Sequence, residues 1–390
     1  MNFRNAINFK TYKELKKLFT HYSKKKQEVG YSSYYESLLC KNFVKFMGSK
    51  GYCDAVNSGT SALYIASACL KESNYDEAII CPTTNVGTLS SLIINKFKKI
   101  HLCDSEKNSY QINLKSLKKK INKRTKVIII THVGGFTCDL SYLKIIKRNY
   151  PWVKIIEDCS QSFGTTFNKK KVGTFGDISC FSTMFRKNLV TGGIGGLIYT
   201  KNKNIYNKCL SLADRGKLLY KKNFNPKDYS FYKYPSLNFN LDEISCFIGN
   251  YNLTQNLKHI NETRFIIYNK INSFLKDKNV NLFSVPDINK NDFVSLYFLP
   301  ITINSEDIRV INKVKKILKN YKKFIFNFKY HECIYEWKNF HKFLSFKKND
   351  HKNIMNYQNK TFNFLFNEKT KINTINHLNS KLLEINKRFT

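Results

Sequence analysis

Apolar residues in the first half of the chain follow two alternating spacings. Short runs rich in isoleucine, valine and leucine predict strands, and the segments between them repeat apolar residues at helical spacing. The predicted strands are Ala78–Cys81, Ile100–Asp104, Val127–Thr131, Lys154–Asp158 and Gly196–Thr200. The predicted helices are Ser61–Leu70, Thr88–Phe97, Leu114–Ile121 and Leu140–Arg148. This alternation is typical of an α/β domain with a mostly parallel sheet covered by helices on both faces.

The pattern changes after about residue 255. All 16 glycines lie between Gly30 and Gly249, so close backbone approach to a ligand is expected only in the first part. The later residues predict the helix His259–Leu275, the strand Leu296–Ile303, a helix opened by Ser305 and the strand Phe324–Phe328. We therefore predict a large α/β domain over residues 1–255, with an N-terminal helical segment, and a smaller α+β domain over residues 256–390. The stretch after Phe340 has no clear pattern.

Composition indicates a soluble cytoplasmic protein. The chain of 390 residues is 42% hydrophobic, enough for a sizeable core, yet no apolar run approaches the roughly 20 residues needed to cross a bilayer. The N-terminal residues lack the apolar core and cleavage site of a secretory signal. The 11 cysteines are scattered, without the CxxC spacing of a zinc or redox motif, which favours free thiols in a reducing compartment.

The net charge of +38 first suggests a nucleic-acid partner. However, the positive residues are mostly lysines spread over the whole chain, and none of the common recognition modules for nucleic acids is present. We therefore predict no specific nucleic-acid binding, while a mild attraction of anionic substrates is consistent with this charge.

Two residues in the middle of the chain have suggestive chemistry. Asp158 ends a predicted strand, where α/β proteins place their ligands, and a carboxylate there can pair with a heterocyclic nitrogen. Lys187 lies in a largely apolar segment just before a glycine cluster, and burial favours the nucleophilic amine form of a lysine. A surface lysine and a capping carboxylate are the simpler alternatives for each residue taken alone.

The turn at Ser58-Gly59-Thr60 precedes an alanine-rich predicted helix, so free backbone amides and the helix dipole converge beside Gly59. The turn can bind an anion, or it can be an ordinary helix cap supplied by Ser58 or Thr60.

Taken together and in order, these motifs resemble the DegT/DnrJ/EryC1/StrS family of sugar aminotransferases, which are pyridoxal-phosphate enzymes of fold type I. The resemblance covers residues 52–265 and rests on four motifs: Ser58-Gly59-Thr60, Glu157-Asp158 with Gln161, Val172-Gly173-Thr174-Phe175-Gly176-Asp177, and Phe181-Ser182 with Lys187-Asn188. It implies a fold type I architecture with a mostly parallel, seven-stranded type of sheet.

The resemblance also implies roles for individual residues. Lys187 is expected to bind pyridoxal 5'-phosphate covalently and to shuttle a proton, and Asp158 is expected to pair with the ring nitrogen. Gln161 is expected to contact the phenolic oxygen of the ring, and Gly59, Thr60 and Ser182 the phosphate. Asn238 matches a family asparagine that reaches in from a second subunit, which implies a homodimer with shared active sites.

The implied reaction transfers an amino group from glutamate to a nucleotide-linked keto sugar, with a 4-keto-6-deoxy sugar for surface polysaccharide as the family expectation. Two other possibilities within this fold are a non-catalytic or regulatory protein that binds the cofactor and a deoxysugar dehydratase. The family's dehydratases carry histidine at the lysine position, so Lys187 argues against the second.

The chain departs from the family pattern at three places. Val86 stands where an aromatic residue usually stacks on the cofactor ring, and Asn240 replaces an arginine. The glycine loop Gly192-Gly193-Ile194-Gly195-Gly196 is one residue longer than the family's and lacks its acidic residue. Arg215 and Arg186 are possible substitutes for that arginine. Among weaker candidates, His132 is expected to be structural rather than catalytic, and His331-Glu332-Cys333 lacks the spacing of a metal site.

Overall fold

A computed structural model describes residues 9–25, 30–31, 34–321, 324–328 and 333–389. Within these residues the chain forms eleven α-helices and fourteen strands. The helices are α1 Phe9–Lys25, α2 Tyr34–Met47, α3 Gly59–Leu70, α4 Val86–Ile94, α5 Tyr142–Asn149, α6 Lys203–Ala213, α7 Glu243–Gln255, α8 Leu257–Asp277, α9 Ile308–Asn320, α10 Lys352–Lys360 and α11 Ile372–Phe389.

Strands β1 to β9 belong to the first part of the chain. They are β1 Tyr52–Val56, β2 Glu77–Ile80, β3 Lys99–Leu102, β4 Thr125–Thr131, β5 Lys154–Asp158, β6 Thr166–Phe167, β7 Lys170–Lys171, β8 Ile178–Ser182 and β9 Gly196–Thr200. The later strands are β10 Phe283–Ser284, β11 Leu299–Ile303, β12 Ile325–Asn327, β13 Leu344–Ser345 and β14 Thr361–Leu365.

The main sheet has eight strands in the order β1-β9-β8-β5-β4-β2-β3-β13. Only β9 runs antiparallel to its neighbours, β1 and β8, among the strands of this sheet. Along β4, Val127 and Ile129 contribute to one core cluster, while Ile128 and Ile130 contribute to another on the opposite face. This alternation shows that helices cover both faces, as the apolar runs predicted.

A second sheet, in the order β10-β11-β14-β12, is antiparallel and forms the centre of a smaller unit. Its core combines strand residues such as Ile301 and Phe362 with one apolar face each of α8, α9 and α11. On α8, Ile260, Ile267 and Ile271 repeat at helical spacing and are buried. We propose that the domain boundary lies near residue 256, between α7 and α8.

The stretch after Phe340, which the sequence left unassigned, returns to the large sheet. Leu344 and Ser345 form β13, which pairs in parallel with β3 and is the eighth strand where seven were expected. Cys333, Ile334 and Tyr335 are buried in the core cluster of the large sheet. A segment of the predicted small domain therefore forms the edge strand of the large sheet, beside β3.

The predicted helix over Leu114–Ile121 is wrong, because this segment contains only a single 3₁₀ turn at Leu117–Lys119. Leu114 and Leu117 are nevertheless buried, which explains the apolar spacing. Among the described residues, no helix is both long and apolar enough to span a membrane.

Candidate active site

Three parallel strands end at the same edge of the large sheet. Thr131 at the end of β4 is in register with Asp158 at the end of β5, and Asp158 is in register with Cys180 of β8, which continues to Ser182. Helices α3 and α4 begin at this edge as well. Ligands of α/β proteins bind at the carboxyl ends of the strands, so this is where a site is expected.

A cavity of about 830 Å³ lies at this edge, between the large sheet and the smaller domain. Its volume is in the range of small-molecule sites. Six of the seven residues predicted for the site line this cavity: Gly59, Thr60, Asp158, Gln161, Ser182 and Lys187.

The floor of the cavity is formed by the first turns of α3 and α4. Ser58 caps α3, because its Oγ accepts a hydrogen bond of 3.0 Å from the amide of Ser61. Asn85 caps α4 in the same way by accepting from Gly87 at 3.0 Å. Since Ser58 supplies the cap, Thr60 is left exposed to the cavity, beside the positive ends of two helix dipoles.

Gly59 is required by the close approach of α3 to β8. A Cβ atom at this position would lie 2.5 Å from the Cβ of Ser182, closer than real Cβ atoms come. The contact places Ser182 beside the first turn of α3. A phosphate bound here would meet backbone amides, the Thr60 hydroxyl and the Ser182 hydroxyl.

Asp158 is only 2% exposed and is held by hydrogen bonds on both carboxylate oxygens. Oδ2 accepts from Thr88 Oγ1 at 3.0 Å, and Oδ1 accepts from the amide of Ser160 at 3.1 Å. Two basic neighbours are paired elsewhere, His132 with Glu157 and Arg264 with Glu368. A buried carboxylate is costly without a charged partner, so a protonated ring nitrogen in the cavity suits it.

Gln161 is oriented by the backbone of the β4 loop. Its Oε1 accepts a hydrogen bond of 2.8 Å from the amide of Gly134, which directs the amide nitrogen to the other side. A primary amide nitrogen is a donor, as the predicted contact with a ring oxygen requires. Gly134 adopts a left-handed backbone, with φ of 71°, that favours glycine.

Lys187 is 9% exposed, and its Nζ lies 4.4 Å from the centroid of the Tyr297 ring. The next residue, Asn188, anchors this segment to the smaller domain by donating to Ser295 Oγ at 2.8 Å. The lysine is therefore buried and fixed from behind, as a covalent cofactor link requires.

Glu157, next to Asp158, faces away from the cavity and organises the Val172–Asp177 motif. Its carboxylate accepts from the amides of Gly173, Phe175 and Gly176 at 2.7, 2.8 and 2.6 Å. His132 Nε2 lies 3.1 Å from the same carboxylate and is fully buried, which supports its predicted structural role. Cys159 completes a cluster of metal-capable groups, but the carboxylate is already saturated by these donors.

Of the weaker metal motif, His331 and Glu332 lie outside the described residues. Cys333 is buried and donates to Gln358 Oε1 at 3.2 Å.

Asn238 does not line the cavity of its own chain. It is exposed, and its Oδ1 accepts hydrogen bonds from the backbone and the side chain of Asn240. Its predicted role in the active site of a second subunit stays a prediction.

The departures from the family pattern also have defined positions. Val86 is 46% exposed, and the cavity wall beside it is formed by Asn85, Gly87 and Thr88. Ile194 lines the cavity at the tip of the glycine loop. Arg186 lines the cavity too, whereas Arg215 pairs with Asp214 at 2.7 Å outside it.

The smaller domain supplies residues that sequence reasoning missed: Arg264, Tyr297, Lys369 and Lys371 all line the cavity. Arg264 had a visible signal, because it shares the apolar face of α8 with Ile260, Ile267 and Ile271. The two lysines had none, since they are two among 66 basic residues.

A family model places the chain among known proteins. The model of the DegT/DnrJ/EryC1/StrS aminotransferase family matches residues 20–381. The chain belongs to this family. The predicted resemblance, the α/β fold type I architecture and pyridoxal phosphate as the family's cofactor are thereby confirmed.

Individual relatives agree with this assignment. A GDP-perosamine synthase of Vibrio cholerae is 34% identical over 174 residues, which are 45% of this chain and 46% of the relative. The match thus spans about half the length of that curated relative. The aminotransferase PseC of Helicobacter pylori, involved in pseudaminic acid biosynthesis, has a TM-score of 0.82 with 19% identity over the whole of both chains.

A third relative has a different reaction. The E. coli GDP-4-keto-6-deoxy-D-mannose-3-dehydratase with bound hydrated pyridoxal phosphate has a TM-score of 0.82, with 21% identity over 99% of both chains. At such identities the two solved structures support the fold alone. Within the family, the site itself must therefore decide between reactions.

Proposed function

We propose that this protein is a pyridoxal-phosphate-dependent aminotransferase that transfers an amino group from glutamate to a nucleotide-linked keto sugar. The observation that supports it most is the meeting of Lys187, Asp158 and Gln161 in one cavity whose floor is formed by two helix N-termini. A lysine at this position, rather than a histidine, favours transamination over dehydration.

The residues divide the work as follows. Lys187 holds the cofactor covalently and, once released, takes the proton from the α-carbon of the amino donor. Asp158 keeps the ring nitrogen protonated, and Gln161 donates to the ring oxygen. Gly59, Thr60 and Ser182 bind the phosphate. The bound cofactor supplies an electron sink for the charge left on the deprotonated carbon.

The rest of the cavity supports an anionic second substrate. Arg186, Lys369 and Lys371 line it, and Asp158 is the only acid among the described residues that do. Arg264 lines it as well, but this side chain is paired with Glu368 at 3.6 Å. A diphosphate-linked sugar carries negative charge that such a surface attracts. From the family expectation, we propose a 4-keto-6-deoxy sugar as the acceptor, for a surface polysaccharide.

We further propose a cytoplasmic homodimer with shared active sites. Phe185 and Ile194, which line the cavity, are 36% and 60% exposed, and Leu237 elsewhere on the surface is 67% exposed. Asn238 follows Leu237 directly, so a second subunit packed on these residues brings an Asn238 towards the cavity of its partner.

The test is spectroscopic and begins with the cofactor. Purified protein should show the visible absorbance of lysine-bound pyridoxal phosphate, and glutamate should abolish this band by forming the pyridoxamine cofactor. Lys187→Ala should lose the band and lower the rate by about 10⁴-fold or more. Lys203→Ala, an exposed lysine at the start of α6, is the matched control and should behave like wild type.

A protein that binds the cofactor but never converts it with glutamate contradicts the proposed reaction and supports the non-catalytic alternative. If conversion occurs, the pyridoxamine form should then be mixed with keto nucleotide sugars and the products identified by mass spectrometry. Formation of a deoxysugar without an amine would identify a dehydratase instead.

A further inference from the structure

The amine of Lys187 lies on the face of the Tyr297 ring. The distance of 4.4 Å from Nζ to the ring centroid is well within the roughly 6 Å limit of a cation–π contact. Both side chains line the cavity, and Lys187 is only 9% exposed. Such contacts are stronger when water is excluded, because the ammonium ion has fewer competing partners.

The backbone of Tyr297 is fixed from both sides. Its amide donates to the carbonyl of Gly134 at 2.9 Å, and its carbonyl accepts from Arg264 Nη1 at 3.3 Å. Arg264 is 3% exposed and also donates to the carbonyl of Leu296 at 2.7 Å. The ring therefore projects into the cavity from a rigid base.

The lysine and the tyrosine are also tied to each other through their neighbours. Asn188, which follows Lys187, donates to Ser295 Oγ at 2.8 Å and to the carbonyl of Leu296 at 3.3 Å. Ser295 is in turn held by Thr165 Oγ1, which accepts from its amide at 3.0 Å. The spacing between the amine and the ring is therefore set by hydrogen bonds on both chain segments.

We propose that Tyr297 is the positioning residue that holds the amine of Lys187 whenever this amine is not bonded to the cofactor. The inference rests on the proposed function, in which Lys187 is released during each half-reaction. The ring face stabilises the ammonium ion formed when the C–H bond of the amino donor breaks and its proton joins the lysine nitrogen. The same contact keeps the proton within reach for its return.

Gly134 links the contact between Lys187 and Tyr297 to the rest of the cofactor site. Its amide donates to Gln161 Oε1 and its carbonyl accepts from Tyr297, so one residue orients both the predicted ring-oxygen partner and the lysine partner. The positions of the Lys187 amine and of the cofactor ring therefore both depend on the backbone of Gly134.

The first experiment compares Tyr297→Leu, Tyr297→Phe and a control, Tyr142→Leu. Tyr142 also has a lysine over its ring, Lys115 at 5.0 Å, but lies on α5 outside the cavity. Apoprotein is mixed with pyridoxal phosphate, and the appearance of the lysine-bound absorbance is timed. Attack on the cofactor needs the neutral amine, so loss of the ring that stabilises the ammonium ion should speed this capture by about tenfold in Tyr297→Leu, while Tyr297→Phe and the control should remain close to wild type.

The second measurement is the half-reaction with glutamate that carries deuterium at the α-carbon. Tyr297→Leu should increase the isotope effect, because proton transfer to a poorly held amine becomes more limiting. Unchanged capture and an unchanged isotope effect in a folded Tyr297→Leu would overturn the proposal. An equal change of the capture rate and of the isotope effect in Tyr297→Phe would also overturn it, since that assigns the role to the hydroxyl group.

A series of fluorinated phenylalanines at position 297 tests the proposal even if Tyr297→Leu fails to fold. Phenylalanine with one, two or three ring fluorines at position 297 preserves the size of the ring while weakening its negative face. The logarithm of the capture rate should rise steadily with fluorine number, because the neutral amine becomes more abundant, and a flat series would contradict the proposal. If even the wild type forms no lysine-bound cofactor, the proposed function itself fails, which is a distinguishable result.

Discussion

The carboxylate of Glu157 is surrounded by donors. Burial on its own raises the pKa of this group, but the hydrogen bond and charge of His132, together with the amides of Gly173 and Gly176, outweigh that effect and leave the pKa lowered. A lowered pKa means that the carboxylate stabilises the fold at pH values above its unfolded pKa of about 4.3. This contribution is lost as the pH falls through the folded pKa.

Glu157→Gln should therefore destabilise the protein by about 3 kcal/mol at neutral pH, because an amide NH₂ then faces backbone N–H groups. Urea unfolding at neutral pH and at about pH 4 measures this, and the difference from wild type should shrink at the lower pH. Glu262→Gln, an exposed residue on α8, should change stability little. Equal effects of the two substitutions would contradict the assigned role.

Substitution of Gly134 tests whether cofactor binding depends on the left-handed backbone conformation at this residue. Gly134→Ala should cost about 1–2 kcal/mol of backbone strain and should weaken cofactor binding, because Gln161 and Tyr297 both depend on this residue. A Cβ atom here also lies 3.2 Å from the Phe298 ring.

Gly48→Ala is the control, since Gly48 has a similar φ of 66° with nothing within 4 Å of an added Cβ. Both variants should lose similar stability, and only Gly134→Ala should lose cofactor affinity in an equilibrium titration. A parallel loss of affinity in Gly48→Ala would show that strain alone explains the effect.

Much of the candidate site was predictable from the sequence, because Asp158, Gln161, Ser182 and Lys187 lie at or after the ends of β5 and β8, which are neighbours in the sheet. Tyr297 and Thr88 were not predictable as site residues. Tyr297 reaches Lys187 only because a segment distant in sequence folds against it. Thr88 reaches Asp158 only because the start of α4 packs against the end of β5.

At the scale of elements, α2 and β1 meet through two buried acids. Glu36 and Asp54 are 8% and 3% exposed and line a small cavity of about 180 Å³ together with Tyr206. Burial, followed by the charge of Glu36 and a hydrogen bond to it, raises the pKa of Asp54 well above its usual value. The stability from this pair is fully present below the unfolded pKa of about 3.9 and is lost as the pH rises through the folded pKa.

Asp54→Asn should consequently stabilise the protein by about 1 kcal/mol at about pH 8 and flatten the dependence of melting temperature on pH. Glu36→Gln should act in the same direction, and the double variant should gain less than the sum because each change removes the same repulsion. Asp76→Asn is the contrasting control: Asp76 Oδ2 accepts from two amides, so its replacement should destabilise. A destabilised Asp54→Asn at this pH would show that the pair is not repulsive.

The long, regular elements of the large sheet were predicted well, and their observed bounds differ by only one or two residues for the strands β2, β3 and β4. Strand β1 and strand β8 were missed, since their short runs include polar residues such as Asp54 and Ser179 that only the fold buries. The segment around β13 could not be predicted, because two residues carry no periodicity and their pairing partner β3 is more than 200 positions away.

At the scale of the whole molecule, shared active sites can be tested by mixing two inactive forms. Lys187→Ala and Asn238→Asp variants should each be impaired alone, whereas a mixed dimer should contain one intact site. After random reassortment of subunits, about one quarter of wild-type activity should return. Lys187→Ala mixed with an equal amount of wild type by the same protocol should keep about half of wild-type activity and controls for losses in handling, and exchange itself is followed by mass spectrometry of subunits with different tags. No recovery in a mixture shown to exchange would place Asn238 outside the partner's site.

The return of the chain at Leu344–Ser345 has a mechanical consequence. A domain attached by a single linker can rotate about that linker. Here the smaller unit has three connections to the large one: the chain at Asn256, the hydrogen-bonded residues Ser295 to Tyr297, and the strand β13. Rotation about any one of them breaks hydrogen bonds at the other two. We therefore expect the proposed substrates to enter without a hinge motion between the two units, and we expect small loops at the mouth, such as the one that carries Ile194, to set the pace of exchange.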